Sequence, residues 1–299
     1  MAALRLHYVD ATATEISSYQ NDADVESVDR DRTRDAEGSP DPDVASQWAL
    51  TQIGWDQVHG SGLPTGSATI AVLDTGVDAG NADLAGRVSG GYALSGSATS
   101  DPNGHGTSLA LIAGAGTDNG TGIAGVDYSG PSILSERVLG ADGTGQDSDI
   151  INGLVDAADA GADVILMGFS NPGFSSALQD AVTYAWSKGA VLVAATGNDG
   201  VSTPTYPAGD AKVAGVSATD QSDELASFSN SGADTFIAAP GVSISDGSGS
   251  LTGTSASAAI VAGAAALLKA DDPGASNATI LGRLARNADA AGSASETGN

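Results

Sequence analysis

The 299-residue chain contains no cysteine. That absence removes disulfide scaffolds, thiol nucleophiles and cysteine-ligated zinc, and leaves the compartment open. Basic residues are scarce as well. Eleven Lys and Arg face 37 Asp and Glu, for a formal net charge of −26, and the only lysines are Lys188, Lys212 and Lys269. So negative a surface repels nucleic acid and anionic membrane, and neither is expected as a partner. It suits high salt, where screening removes the self-repulsion, and points to a halophilic or marine source. Long apolar runs are missing too, since none reaches transmembrane length. The start, MAALRLHYVD, lacks the basic-then-apolar pattern of a secretory leader. Histidine occurs only at His7, His59 and His105.

What is present reads as one large globular domain. Apolar residues make up 41%, with 41 glycines, which fits a packed core connected by many tight turns. No internal repeat is evident. Residues 1–37 stand apart: ALRLHYVDA and VESVDRD read as strands around a short helix in TATEISSYQND, followed by an exposed linker, RTRDAEGSPDPD. From about residue 67, short β-branched runs alternate with helical ones. ATIAVLD (68–74), SILSERVL (132–139), ADVILMGF (162–169), AVLVAAT (190–196) and KVAGVSAT (212–219) are apolar almost throughout. Strands of that kind are buried on both faces, as in a parallel sheet. Between them lie the helical stretches DSDIINGLVDAADAG and SSALQDAVTYAWSKG. The expected fold is α/β, a doubly wound and mostly parallel sheet with helices on both faces. In such folds functional groups gather at the carboxyl ends of the strands.

Four stretches carry chemistry, and each has a plain structural reading beside the functional one. AVLDTGVD ends an apolar strand on Asp74, which is either a turn or cap residue or a carboxylate held for a purpose. NGHGTSLALIAG places His105 between glycines that allow a close approach. Of the three histidines only His105 sits where a general base is wanted, because His7 lies in the N-terminal segment and His59 in a polar loop. AATGNDG puts Asn198 just past a strand end, as a turn residue or as an amide donor to an oxyanion. GTSASAAIVAG holds Ser255 ahead of an Ala-rich helix, as a cap or as a nucleophile. Taken together, a carboxylate, an imidazole, an amide and a hydroxyl beside glycines form the set needed for nucleophilic acyl transfer. The chain order Asp, His, Ser is that of subtilisin; a lipase or esterase would want a G-x-S-x-G elbow and Ser before His.

With AVLDTGVD, NGHGTS, VLGADGTGQDSDIING, AATGNDG, FSNSGADTFIAAPGVSI and GTSASAAIVAG in order, the chain resembles the subtilisin-like serine proteases over roughly residues 40–290. The resemblance implies a secreted, monomeric serine endopeptidase that acts on polypeptides without an obligatory catalytic metal. It implies Asp74, His105 and Ser255 as the triad, with Asn198 and the Ser255 N–H as the oxyanion hole. Gly143, Thr144 and Gly145 would form one edge for an extended peptide, and Gly168, Phe169 and Ser170 the other. Ala195, Thr196 and Gly197 would line the first specificity pocket, with Thr205 near its base, favouring apolar or medium-sized side chains. A structural calcium would take Asp83, a side-chain oxygen of Asn119, and Asp41. Residues 1–37 resemble part of a propeptide, with autoprocessing expected between Arg34 and Pro40; residues 38–290 would be the peptidase domain and 291–299 a tail. A truncated or catalytically silent homologue acting as a binding protein is the alternative.

Several segments depart from the family. Gly168-Phe169-Ser170-Asn171 replaces the usual Ser-Leu-Gly-Gly, and Ser108-Leu109-Ala110-Leu111 the usual His-Val-Ala-Gly. After the nucleophile position, Ala256-Ser257-Ala258-Ala259-Ile260 replaces Met-Ala-Ser-Pro-His, with chemistry expected to survive. Leu111 requires extra room nearby. SDGSGSLT looks short, which puts one wall of the cleft in question.

Overall fold

Apolar runs bounded by turn residues become strands of one sheet, because their side chains have core on both sides. In the computed structural model residues 11–23, 25, 28, 41–62, 64, 66–290, 293, 297 and 298 are described. The chain divides into two units, residues 1–37 and 38–299. In the first, α1 (Ala13–Gln20) opens with a capping box in which Thr12 and Glu15 satisfy each other's backbone. The strands expected in ALRLHYVDA and VESVDRD, and the span from Arg34 to Pro40, fall almost entirely outside the described residues.

The second unit opens with two short helices, α2 (Trp48–Gln52) and α3 (Trp55–Val58). Its main sheet holds β1 (Thr69–Asp74), β2 (Val88–Ala93), β3 (Ser132–Arg137), β4 (Val164–Met167), β5 (Val191–Ala195), β6 (Val213–Thr219) and β7 (Ile237–Pro240). The order is β2-β3-β1-β4-β5-β6-β7, and every neighbouring pair is parallel. Alternation along the strands feeds two cores. Ile70, Val72, Val164, Leu166, Val191 and Val193 face one side, with α4 (His105–Gly114) and α7 (Thr254–Asp271). Ala71, Leu73, Ile165, Met167, Leu192 and Ala194 face the other, with α5 (Asp147–Asp159) and α6 (Ser176–Ser187). A last helix, α8 (Asn277–Asn287), packs on the first face through Ile280. This is the doubly wound α/β/α arrangement expected from the sequence.

Two edge strands and a hairpin go beyond the sequence expectation. β2 reads VSGGYA, half exposed and glycine-rich, and β7 is four residues ending in proline. SDGSGSLT folds into part of a two-stranded hairpin, β8 (Ile244–Ser245) and β9 (Ser250–Leu251).

One buried carboxyl on β3 belongs to no site. Glu136 is fully enclosed, with Oε2 accepting the Tyr92 N–H at 2.6 Å and Oε1 left without a hydrogen-bond partner. Asp156 of α5 faces it; a Cβ at Gly91 would overlap Oε1 and stand 2.6 Å from Asp156 Oδ2. Burial, with the charge of Asp156, pushes Glu136 up to about 8 from an ordinary 4.5. A carboxyl raised in the folded state stabilises while protonated, and that contribution is lost as pH rises from below 4.5 through about 8. Glu136→Gln is therefore expected to raise the melting temperature at pH 9 by roughly 2–4 °C, and by less at pH 5. Calorimetry at both pH values checks the difference.

Candidate active site

β1, β4 and β5 lie side by side and parallel, so the residues just beyond their carboxyl ends meet at one edge of the sheet. Asp74 is the last residue of β1, Gly168 comes directly after β4, and Thr196-Gly197-Asn198 directly after β5. α4 begins at His105 and brings the imidazole over β1: His105 Nδ1 lies 2.8 Å from Asp74 Oδ1. Asp74 is fully enclosed, and the same Oδ1 accepts the Thr75 N–H at 2.8 Å, while Oδ2 has no hydrogen-bond partner. Burial of His105 works against its charged form. The Asp74 hydrogen bond and charge, together with the charge of Asp101, outweigh it, so the imidazole is raised above its ordinary value.

Ser255 is the second residue of α7 and does not cap it; the N-cap is Gly253, without a side-chain cap bond. The Ser255 hydroxyl instead donates to the Gly168 carbonyl at 2.8 Å. Asn198 is exposed, and its orientation is fixed from behind. Its Oδ1 accepts the Thr254 N–H at 2.9 Å and the Thr254 hydroxyl at 3.1 Å, while that hydroxyl accepts the Gly197 N–H at 3.0 Å. With the oxygen occupied, the Nδ2 group is left to donate outward. Sequence reasoning misses Thr254, because a threonine before a serine carries no signal until the fold sets it against Asn198.

Gly168 joins these parts. Its carbonyl meets Ser255, and a Cβ there would overlap Leu109 Cδ1 and stand 2.8 Å from Asp74 Oδ2 and 3.1 Å from His105 Cε1. Phe169 and Ser170 continue outward half-buried, and Asn171 pairs antiparallel with Tyr206. The expected opposite edge, Gly143, Thr144 and Gly145, is exposed, with the turn held by the Thr144 N–H and hydroxyl on Asp142 Oδ1. Ala195, Thr196 and Gly197 are buried at the end of β5, and the Thr205 hydroxyl donates to the Thr196 carbonyl at 2.6 Å.

The residues expected to hold calcium meet in one loop, arranged differently from the expectation. Asp41 Oδ2 accepts the Asp118 N–H, and Oδ1 those of Asn119 and Gly120. Asp83 accepts the Asn119 Nδ2 group and the Ile123 N–H. Asn119 thus gives its nitrogen to Asp83, and its oxygen accepts the Thr121 N–H at 2.7 Å. The carboxylates face N–H donors where a cation needs lone pairs, so as arranged these residues do not fit calcium. Among the described residues no group of three or more His, Asp or Glu could hold a metal ion.

A profile of the subtilase family matches residues 66–299. The chain belongs to that family. It is 44% identical over 230 residues to thermitase of Thermoactinomyces vulgaris, covering 75% of this chain and 80% of that protein. It is 39% identical over 251 residues to subtilisin BL of Lederbergia lenta, covering 82% and 92%. Among solved structures it is similar to a cold adapted subtilisin-like serine proteinase, at TM-score 0.69 and 32% identity, covering 76% of this chain and 84% of that one. A second similar structure is a protease of Pseudoalteromonas arctica PAMC 21717, at TM-score 0.75 and 28% identity, covering 88% and 96%. This subtilase is a serine endopeptidase, and its substrates are polypeptides.

The departures of this subtilase compensate one another. Ser108, where the family usually has His, donates to Asp246 Oδ2 of the short hairpin at 2.9 Å. Leu111 finds its room beside Gly247, whose missing Cβ would stand 3.7 Å from Leu111 Cδ1. Ala256–Gly263 are buried throughout, so the small replacements after Ser255 sit inside the core. Gly168 and Leu109 form another such pair: Leu109 fills the space a side chain at 168 would need. Gly168→Ala is expected to cost about 1–3 kcal/mol in denaturant unfolding. Adding Leu109→Val removes one of the three close contacts and should make the double variant less destabilised than the sum of the two single ones, a coupling that a double-mutant cycle reads directly.

Proposed function

We propose that the endopeptidase acts through Ser255 as nucleophile, His105 as general base and then general acid, and Asp74 as the group that orients and charge-stabilises the imidazole. The observation that carries this reading is the 2.8 Å Asp74–His105 bond at the strand edge where Gly168 also receives the Ser255 hydroxyl. Ser255 Oγ adds to the scissile carbonyl carbon as its proton passes to His105 Nε2. Collapse breaks the C–N bond, and Nε2 gives that proton to the departing amine. Water then enters the acyl ester by the same route and restores the hydroxyl. Charge on the tetrahedral oxygen is met by Asn198 Nδ2, which Thr254 leaves free to donate, and by the Ser255 N–H.

In the free protein the Ser255 hydroxyl rests on the Gly168 carbonyl. An extended peptide laid between 143–145 and 168–170 brings its own N–H to that carbonyl and takes the hydroxyl's place, freeing it to turn towards Nε2. The first pocket, bounded by Ala195, Thr196, Gly197 and Thr205, presents no ionisable group among these four and favours apolar or medium-sized side chains. The protein is proposed to be secreted and monomeric, with its propeptide as a partner during maturation; no helix among the described residues is long and apolar enough to cross a membrane.

A fluorophosphonate probe should label the native chain and leave Ser255→Ala unlabelled; an equal adduct on both would sink the assignment. Asn198→Ala should lower kcat by about 10²–10³, the size found on removing this kind of donor in subtilisin, with KM little changed. Because the base must be neutral and His105 is raised, kcat/KM should fall on acidification from above the ordinary histidine range.

A further inference from the structure

The Asp101 carboxylate lies outside the proposed triad, yet it gathers five donors. Its Oδ1 accepts the Thr75 hydroxyl at 2.8 Å, the Gly104 N–H at 2.8 Å and the Asn103 N–H at 3.2 Å. Its Oδ2 accepts the Thr107 N–H at 2.8 Å and the Thr107 hydroxyl at 2.7 Å. These donors come from two places far apart in sequence: Thr75 lies just past the end of β1, and Gly104–Thr107 begin α4. Gly104, the N-cap of α4, has no side chain to satisfy the helix's free N–H groups; from outside the helix Asp101 takes those of Gly104 and Thr107, while Asn103 Oδ1 takes that of His105.

Thr75 completes the connection. Its N–H donates to Asp74 Oδ1, the oxygen that also meets His105 Nδ1, and its hydroxyl accepts the Gly106 N–H at 3.1 Å. The approach is close because residue 106 is glycine; a Cβ there would overlap the Gly76 carbonyl and stand 3.1 Å from Asp74 Cβ. One carboxylate therefore grips the element that carries Asp74 and the element that carries His105. The charged groups acting on the imidazole are Asp74 from β1 and Asp101 from the loop before α4.

We infer that Asp101 is a positioning residue for the reaction: it locks the end of β1 to the start of α4, fixing the Asp74–His105 geometry, and sets a second negative charge against the imidazolium. This rests on the proposed role of His105 as the base. Geometry of that kind acts on kcat, since a displaced base binds substrate as before and transfers the proton less well. The charge acts on the pH profile. A nearby anion favours the protonated imidazole, so removing it lets the neutral base persist to lower pH.

Asp101→Asn keeps the shape, removes the charge and turns an NH2 group against N–H donors that the carboxylate accepted, while Thr75→Val keeps the charge and removes the hydroxyl's bonds in the tether. For Asp101→Asn the expected result is a kcat lowered roughly tenfold with KM near that of the native enzyme, and an acid limb of kcat/KM moved to lower pH. For Thr75→Val kcat should fall and the acid limb stay in place. An unmoved acid limb with native kcat in Asp101→Asn would overturn the inference. Should that variant not fold, native kcat in Thr75→Val would overturn it. Fluorophosphonate labelling of the native chain separates the two readings: no adduct condemns the triad assignment, whereas a normal adduct, with native kcat and an unmoved acid limb in Asp101→Asn, condemns the role of Asp101 alone.

Discussion

A carboxylate with no exposure to water, placed at the end of a strand buried on both faces, is tolerated only where donors are supplied to it. Asp74 is that carboxylate, and the surrounding architecture answers to it. The turn after β1 sends the Thr75 N–H back to Oδ1, α4 begins with the imidazole already against the same oxygen, and β4 must end in a residue without a side chain. Oδ2 remains without a partner, so the charge is incompletely neutralised. An anion kept in that condition stabilises a positive charge appearing on the imidazole more than water would, because its surroundings are already oriented and need no rearrangement.

The backbone of the fold was legible wherever burial on two faces produced an unbroken apolar run. ATIAVLD, ADVILMGF and AVLVAAT became β1, β4 and β5 within one or two residues of their apolar limits. Reading failed at the margins of the sheet. β2 contains Gly90 and Gly91 and has its register shifted between Gly90 and Ala93, so it shows neither alternation nor an apolar run. β7 is short and ends in Pro240, tolerable because an edge strand need not donate on its free side.

At the candidate site, Asp74, His105, Asn198 and Ser255 drew notice in the sequence because each stands within two residues of a glycine at a strand end or helix start. Thr254 and Asp101 did not, since their contacts of about 3 Å join segments remote in sequence, and Gly168, expected only as a peptide edge, proves also to receive the Ser255 hydroxyl. The same holds for the pairing of Ser108 with Asp246: either residue alone looks like an arbitrary departure, and only the hairpin's position shows that one answers the other.

The beginning of α7 has a chemical consequence. Ser255 is followed by Ala256, Ser257, Ala258 and Ala259, all buried and none of them carrying sulfur. Thioethers and thiols are the side chains that peroxide attacks first, and a sulfoxide beside Ser255 would be bulky and polar. This chain has no cysteine and only two methionines, one of which, Met167, is sealed within β4. The first turns of the helix that carries Ser255 therefore offer peroxide no thioether to attack.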